Sequence, residues 1–181
     1  MGPVAAPTHG LLAEVLFGRP SKLKIFVSSQ MRGGALNAER VAAAEAIEST
    51  TFHEAWYWER DANAGPYCAE HVCVGHAGTS DGLVLLLADE LTPITRKEFE
   101  AAEAAGAPCF VLIRDGAQPS QEALDFVREQ QGHAITTRFG NDSELRTRVV
   151  GALLQNAVSA TRRDAFQRRM ARGQRRRRSD D

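Results

Sequence analysis

From Lys22 onward, short apolar runs alternate with stretches in which apolar residues recur every three or four positions. That alternation predicts a parallel sheet covered by helices on both faces. Leu23-Lys24-Ile25-Phe26-Val27-Ser28 is a β-branched and aromatic run that predicts the first strand, followed by a Ser-Ser-Gln-Met-Arg-Gly-Gly loop. Leu36, Arg40, Ala43, Ala44 and Ile47 then repeat at helical spacing, with Asn37 the expected cap and a close near Ser49-Thr50. Thr51 to Glu59 predicts a second strand, placed at a sheet edge because its alternation is mixed. After the Gly65-Pro66 break, a helix runs through Cys68, Val72 and Cys73 to Gly78. Asp81-Gly82-Leu83-Val84-Leu85-Leu86-Leu87-Ala88-Asp89 is nearly continuous in apolar residues, as burial on both faces demands, and predicts the central strand.

The pattern continues with a helix from Pro93 to Ala105 stopped by Gly106, a strand from Pro108 to Ile113, a helix from Ser120 to Gln131 and a strand from Ala134 to Phe139. A last helix, capped by Asp142 or Ser143, carries Leu145, Val149, Leu153 and Val158 and is expected to extend into the arginine-rich end. Five strands joined by right-handed crossovers predict a flavodoxin-like three-layer α/β fold, with a five-stranded parallel sheet of order 2-1-3-4-5. Its switch point lies between strands one and three, so Ser28 to Gly34 and Asp89 to Glu98 are expected to face each other across a crevice at the carboxyl ends.

The chain's 181 residues suit one domain, read as residues 22–160, flanked by an extension over 1–21 and a tail over 161–181. In the extension, Leu11, Leu12, Val15, Leu16 and Phe17 are spaced for a short docking helix, and nothing there reads as a secretory signal. No apolar run approaches the roughly 18 residues of a membrane span, so a cytoplasmic protein with no membrane partner is expected. Three cysteines, Cys68, Cys73 and Cys109, lack CxxC spacing and are expected as reduced thiols, two of them buried.

Charge is unevenly spread. Residues 161–181 hold nine arginines and three aspartates, a net of six positive charges, while the other 160 residues carry 13 basic and 20 acidic groups, a net of seven negative. A basic tail behind an acidic body is compatible with nucleic-acid binding by counterion release, or with a solvated or partner-contacting tail.

Chemistry concentrates around the predicted crevice. Ser28, Ser29 and Arg32 lie in a glycine-bearing loop before a helix, an arrangement suited to an anion, although it matches neither the P-loop nor GxGxxG; a capping role is the plain alternative. Glu98 lies at the start of the helix after the central strand. Thr95-x-x-Glu98 also reads as a capping box, but Pro93 favours the first helical position, which would make Thr92 the cap and leave Glu98 in the second turn. Trp56, Tyr57 and Trp58 offer a stacking surface or core aromatics. His71 or His76 with Ser80 and Asp81 has the composition of a hydrolytic triad, and Cys73 and Cys109 sit in apolar runs that disfavour a thiolate.

Lys24-Ile25-Phe26-Val27-Ser28-Ser29, Asn37-Ala38-Glu39-Arg40, Ser80-Asp81-Gly82-Leu83-Val84-Leu85-Leu86, and Glu98 followed by Gly106-Ala107-Pro108 together resemble the superfamily that groups TIR domains with nucleoside 2-deoxyribosyltransferases. In particular they resemble a TIR-like family whose members begin IFVSS and continue AER, often fused to NTPase modules in bacterial defence proteins. The resemblance covers about residues 22 to 160. It implies Glu98 as the catalytic carboxylate, with Ser28, Ser29, Arg32, Trp58, Asp61 and Asp89 as candidate nucleotide-binding residues. Asp61 and Asp89 are positional candidates only, since the transferases' second acidic residue has no clear counterpart.

The implied activity is cleavage of an N-glycosidic bond in NAD or a related nucleotide, taken as substrate or ligand with no further cofactor required. Nucleoside deoxyribosyl transfer, nucleotide hydrolysis and a non-catalytic interaction module stand as alternatives. The resemblance also implies homo-oligomers or a partner defence protein. An enzymatic role predicts that Glu98 opens into a pocket of on the order of a few hundred Å3 shared with Ser28.

Overall fold

The computed structural model describes residues 22–131 and 136–179, with side chains to residue 171. The docking pattern predicted at Leu11 to Phe17 lies outside the described residues. A five-stranded sheet of order β2-β1-β3-β4-β5 is built from β1 (Leu23–Ser29), β2 (His53–Trp56), β3 (Gly82–Leu87), β4 (Cys109–Arg114) and β5 (Thr136–Phe139). Every neighbouring pair is parallel. The helices are α1 (Asn37–Ser49), α2 (Trp58–Asp61), α3 (Ala69–Gly78), α4 (Pro93–Ala104), α5 (Gln121–Gln131) and α6 (Asp142–Ser179). The flavodoxin-like α/β layout predicted from the hydrophobic pattern is the observed one.

The alternation along β3 divides the core. Val84 and Leu86 pack with Ile47 of α1 and Leu145 and Val149 of α6 on one face. Leu83, Leu85 and Leu87 pack with Cys73 of α3, Phe99 of α4 and Phe126 of α5 on the other. All six residues of β3 are buried, which is why the strand reads as a continuous apolar run rather than an alternating one.

Four local expectations need correction. β2 ends at Trp56 rather than Glu59, because the Asp61 carboxylate accepts the Tyr57 N–H at 2.9 Å and turns the chain into α2. The position before α1 is held by Leu36, not Asn37, and Leu36 is left-handed at φ 59° although buried. The cap of α6 is Asn141, whose Oδ1 accepts the Glu144 N–H at 2.9 Å; neither Asp142 nor Ser143 serves. Of the cysteines only Cys73 is fully buried; Cys109 is half-buried and Cys68 exposed. The predicted continuation of the last helix is present, since α6 runs unbroken for 38 residues through the arginine-rich stretch. Among the described residues no helix is long and apolar enough to cross a membrane.

Gly82 opens β3 where three strands crowd together. A Cβ there would lie 3.0 Å from Ile25 Cδ1 and 3.4 Å from the Pro108 carbonyl oxygen. Gly82→Ala is therefore expected to destabilise the fold by about 1–3 kcal/mol, read as a lower urea midpoint at unchanged m-value.

Candidate functional site

β1 and β3 are hydrogen-bonded neighbours, with Ser28 opposite Leu85 and Ser29 opposite Leu86. The loops leaving their carboxyl ends diverge at the switch point and enclose the crevice. On the β3 side, Thr92 caps α4: its hydroxyl accepts the Thr95 N–H at 3.2 Å, and Pro93 takes the first helical position. With that orphan donor satisfied by Thr92, the capping-box alternative for Glu98 falls away. Glu98 lies one turn further on and points inward.

Glu98 is 4% exposed, and its carboxylate accepts a hydrogen bond from the Ser28 hydroxyl at 2.5 Å. Burial pushes the Glu98 pKa from 4.5 up to about 7, against hydrogen bonds from Ser28 and the Cys73 thiol and the positive charge of Arg40, which all favour ionisation. Cys73 is pushed up to about 12, first by burial and then by the neighbouring Glu98, so it is a neutral thiol donor rather than a nucleophile. The predicted opposition of the two loops is seen a second time at the rim, where Gln30 Nε2 donates to Glu90 Oε2 at 3.1 Å.

The residue that organises the loop after β1 escaped the sequence reading. Arg40, on the first turn of α1, is 1% exposed. Its Nη1 donates to Ser29 Oγ at 2.5 Å and to the carbonyls of Gln30 and Ala35, each at 3.1 Å. Nη2 donates to Asn37 Oδ1, and Glu59 of α2 takes bonds from both Nε and Nη2. One guanidinium thereby ties the end of β1, the left-handed turn through Gly33 and Leu36, and α2. The Ala38-Glu39-Arg40 triplet belonged to the quoted resemblance, yet position 40 reads from periodicity as an ordinary inner helix position, so no local signal marked its role.

The remaining sequence candidates divide. Ser28 meets Glu98. Ser29 is spent on Arg40 and its own loop. Arg32 is exposed on a single turn of 3-10 helix; its carbonyl accepts the Ala35 N–H at 3.4 Å, while its side chain forms no ion pair or hydrogen bond among the described residues. Trp58, expected on a strand, starts α2 and packs half-buried against the cluster containing Cys73 and Phe99. Asp61 is used as the local cap described above and in an ion pair with Arg60. Asp89 accepts the Gln118 N–H at 2.7 Å and its carbonyl the Ser120 N–H at 2.6 Å, so it fastens the loop before α5.

The triad composition does not assemble. His76 Nδ1 lies 3.1 Å from Lys24 Nζ, Ser80 donates to the His76 carbonyl and Asp81 accepts the Lys24 N–H, all at the opposite end of the strands from Glu98. The predicted pocket shared by Glu98 and Ser28 is likewise not open. Ser28 and Glu98 are both buried, and neither the cavity beneath α6 nor the one between α3 and α4 is lined by Glu98. Ser28, Cys73 and the inner face of α4 close around the carboxylate instead.

No protein-family model matches the sequence, and no curated protein matches it. Solved structures do. A CMP N-glycosidase from Clostridium botulinum, BcmB, superposes with a TM-score of 0.51 at 12% identity, over 70% of this chain and 96% of that one. The TIR domains of the activated Roq1 resistosome superpose with a TM-score of 0.53 at 11% identity, over 73% of this chain and 99% of theirs. The shared property is the fold. It is the one that the sequence resemblance implied.

Two expectations follow from the site. The folded-state pKa of Glu98 lies above its unfolded value, so the native state holds the proton longer and loses stability as pH rises from about 4.5 through about 7, with no further change above. Glu98→Gln keeps an acceptor for Ser28 without that loss, and its stability advantage should grow by about 3 kcal/mol between pH 4.5 and pH 8 in denaturant titrations. Arg40→Met removes every donor at once and is expected to cost about 3 kcal/mol or more by the same measurement, because Glu59, Ser29 and two carbonyls lose their partner.

Proposed function

We propose that the chain binds a nucleotide in the crevice between the β1 loop and α4 and cleaves its N-glycosidic bond, with Glu98 as the catalytic carboxylate. The observation that carries this reading is a buried glutamate of pKa about 7, hydrogen-bonded to a strand-end serine at the switch point of an open parallel sheet. A carboxylate held in a site of low polarity serves no packing purpose there, and two donors and a nearby guanidinium keep its ionised form accessible.

The chemistry asks for one such group. As the bond from the anomeric carbon to the base nitrogen lengthens, the electron pair leaves with the base and positive charge spreads over the anomeric carbon and ring oxygen. Ionised Glu98 stabilises that charge, or bonds to the carbon until water displaces it; the water oxygen bonds to the carbon and its proton passes to solvent. Ser28, donating to one carboxylate oxygen, fixes the orientation of the other. Glu98 has no second carboxyl among its hydrogen-bonding partners to protonate a leaving group. A base that departs neutral without protonation therefore suits the site best, and the nicotinamide of NAD is such a base. In this reading Arg32, exposed on the loop after β1, takes a phosphate, and half-buried Trp58 stacks on the base.

Substrate reaches Glu98 only if the two loops part, and the Gln30–Glu90 contact is the bond across the rim that must open. Nicotinamide release from NAD by wild type, at low and high protein concentration, is expected to rise through pH 7 as Glu98 ionises and to vanish in folded Glu98→Gln. Base release from CMP or a deoxynucleoside but not from NAD would reassign the substrate. Silence with all of them at every concentration would leave the crevice a structural element of an interaction module.

A further inference from the structure

Leu153 is the last buried residue of α6 among those described, and from Val158 to Ala171 every residue of the helix is exposed. This projecting part carries Arg162, Arg163, Arg168 and Arg169. Arg168 pairs with exposed Asp164, one turn earlier, while the side chains of the other three form no ion pair or hydrogen bond among the described residues.

Successive residues of an α-helix turn by about 100°, which fixes where these side chains leave the axis. Arg162 lies about half a turn round from Leu153, and Arg169 is nearly in line with it, so both point away from the body. Arg163 lies about a quarter-turn to one flank and Arg168 about a third of a turn to the other. Phe166 and Met170, both exposed, fall between Arg162 and Arg163, so the helix has no apolar face set apart from its charges.

That distribution selects the partner. An anionic membrane takes up a helix whose charges and apolar residues occupy opposite faces, and this helix has no such division. The acidic body of a second copy offers a one-sided surface, with several carboxylates already engaged: Glu45 with Arg146, Glu48 with Arg60, Glu70 with Lys97 and Glu129 with Arg96. A duplex groove instead surrounds a helix, with phosphates on two walls and base edges on the floor. The major groove of B-form DNA, about 12 Å wide, admits an α-helix, whereas that of A-form RNA is too narrow.

We propose that the projecting part of α6 lies in the major groove of duplex DNA. Arg163 and Arg168 reach the phosphates of opposite strands, and Arg162 and Arg169 face the base edges. Arg168 gives up only an exposed ion pair for its phosphate. The contact uses none of the residues around Glu98 and does not rest on the glycosidase reading.

Fluorescence anisotropy of the full chain with a labelled DNA duplex of about 20 base pairs tests it, and affinity is expected to fall about a hundredfold or more between about 50 and about 200 mM salt. Arg163→Gln and Arg168→Gln, at exposed positions on opposite flanks, should each reduce the slope of log affinity against log salt by about one. Arg162→Gln/Arg163→Gln/Arg168→Gln/Arg169→Gln should weaken binding at least about tenfold at an unchanged urea midpoint. Undiminished binding by that fourfold variant would overturn the proposal, as would a slope that responds to only one of the two single changes. Equal or tighter binding of single-stranded DNA or duplex RNA of the same length would overturn it too. So would binding to phosphatidylserine vesicles, or a salt-sensitive dimer, in a chain that does not bind the DNA duplex.

Discussion

A guanidinium with almost no exposure keeps its charge only if every donor finds an acceptor, and this requirement at Arg40 shapes the end of the molecule where chemistry is expected. Its acceptors come from four places: the hydroxyl of Ser29, two loop carbonyls, Asn37 on its own helix and Glu59 on α2. These groups cannot relax separately, because losing any one strands part of a buried charge. The left-handed backbone of Leu36, costly for a branched side chain, is tolerated inside the same clamp. Ser28 precedes the clamped Ser29 by one residue, so the position of its hydroxyl follows from Arg40 without direct contact.

Glu98 is reached from the other side by an independent route. Thr92 and Pro93 set the phase of α4, and that phase turns the sixth residue of the helix toward β1 rather than toward water. Two separately built elements thus deliver a donor and an acceptor to 2.5 Å. Burial opposes ionisation, while Ser28, Cys73 and Arg40 favour it, and the balance falls near neutrality. A carboxylate so balanced is inexpensive to keep protonated when the crevice is closed and easily ionised when water or a polar ligand enters.

The fold was legible because its decisive signals are local. β3 announces its burial on both faces by an unbroken apolar run, and the Thr92-Pro93 pair fixes the start of α4. Glu98 and Ser28 could be paired in advance because topology alone brings carboxyl ends of neighbouring strands together. The errors share a different cause. Asp61, Asn141 and Leu36 act through hydrogen bonds that a neighbour four or fewer residues away makes possible, but several short polar residues competed for each role. Arg40 depends on Glu59 nineteen positions later and on loop carbonyls that carry no sequence signal at all. The closed state of Glu98 was equally invisible, since side-chain packing around a site is not encoded in spacing.

Parallel strands impose a polarity that separates the molecule's two ends. Every strand finishes near the crevice, so residues able to bind or cleave a ligand collect there, while every strand begins at the far end. α6 crosses from one end to the other, anchored by Leu145, Val149 and Leu153, and about two thirds of its roughly 57 Å length lies beyond its last buried anchor. An unsupported helix of that length, rich in like charges, gains little from its own hydrogen bonds in water. Its persistence therefore calls for packing on the projecting half, and the exposed apolar residues Phe166 and Met170 lie where such packing would act.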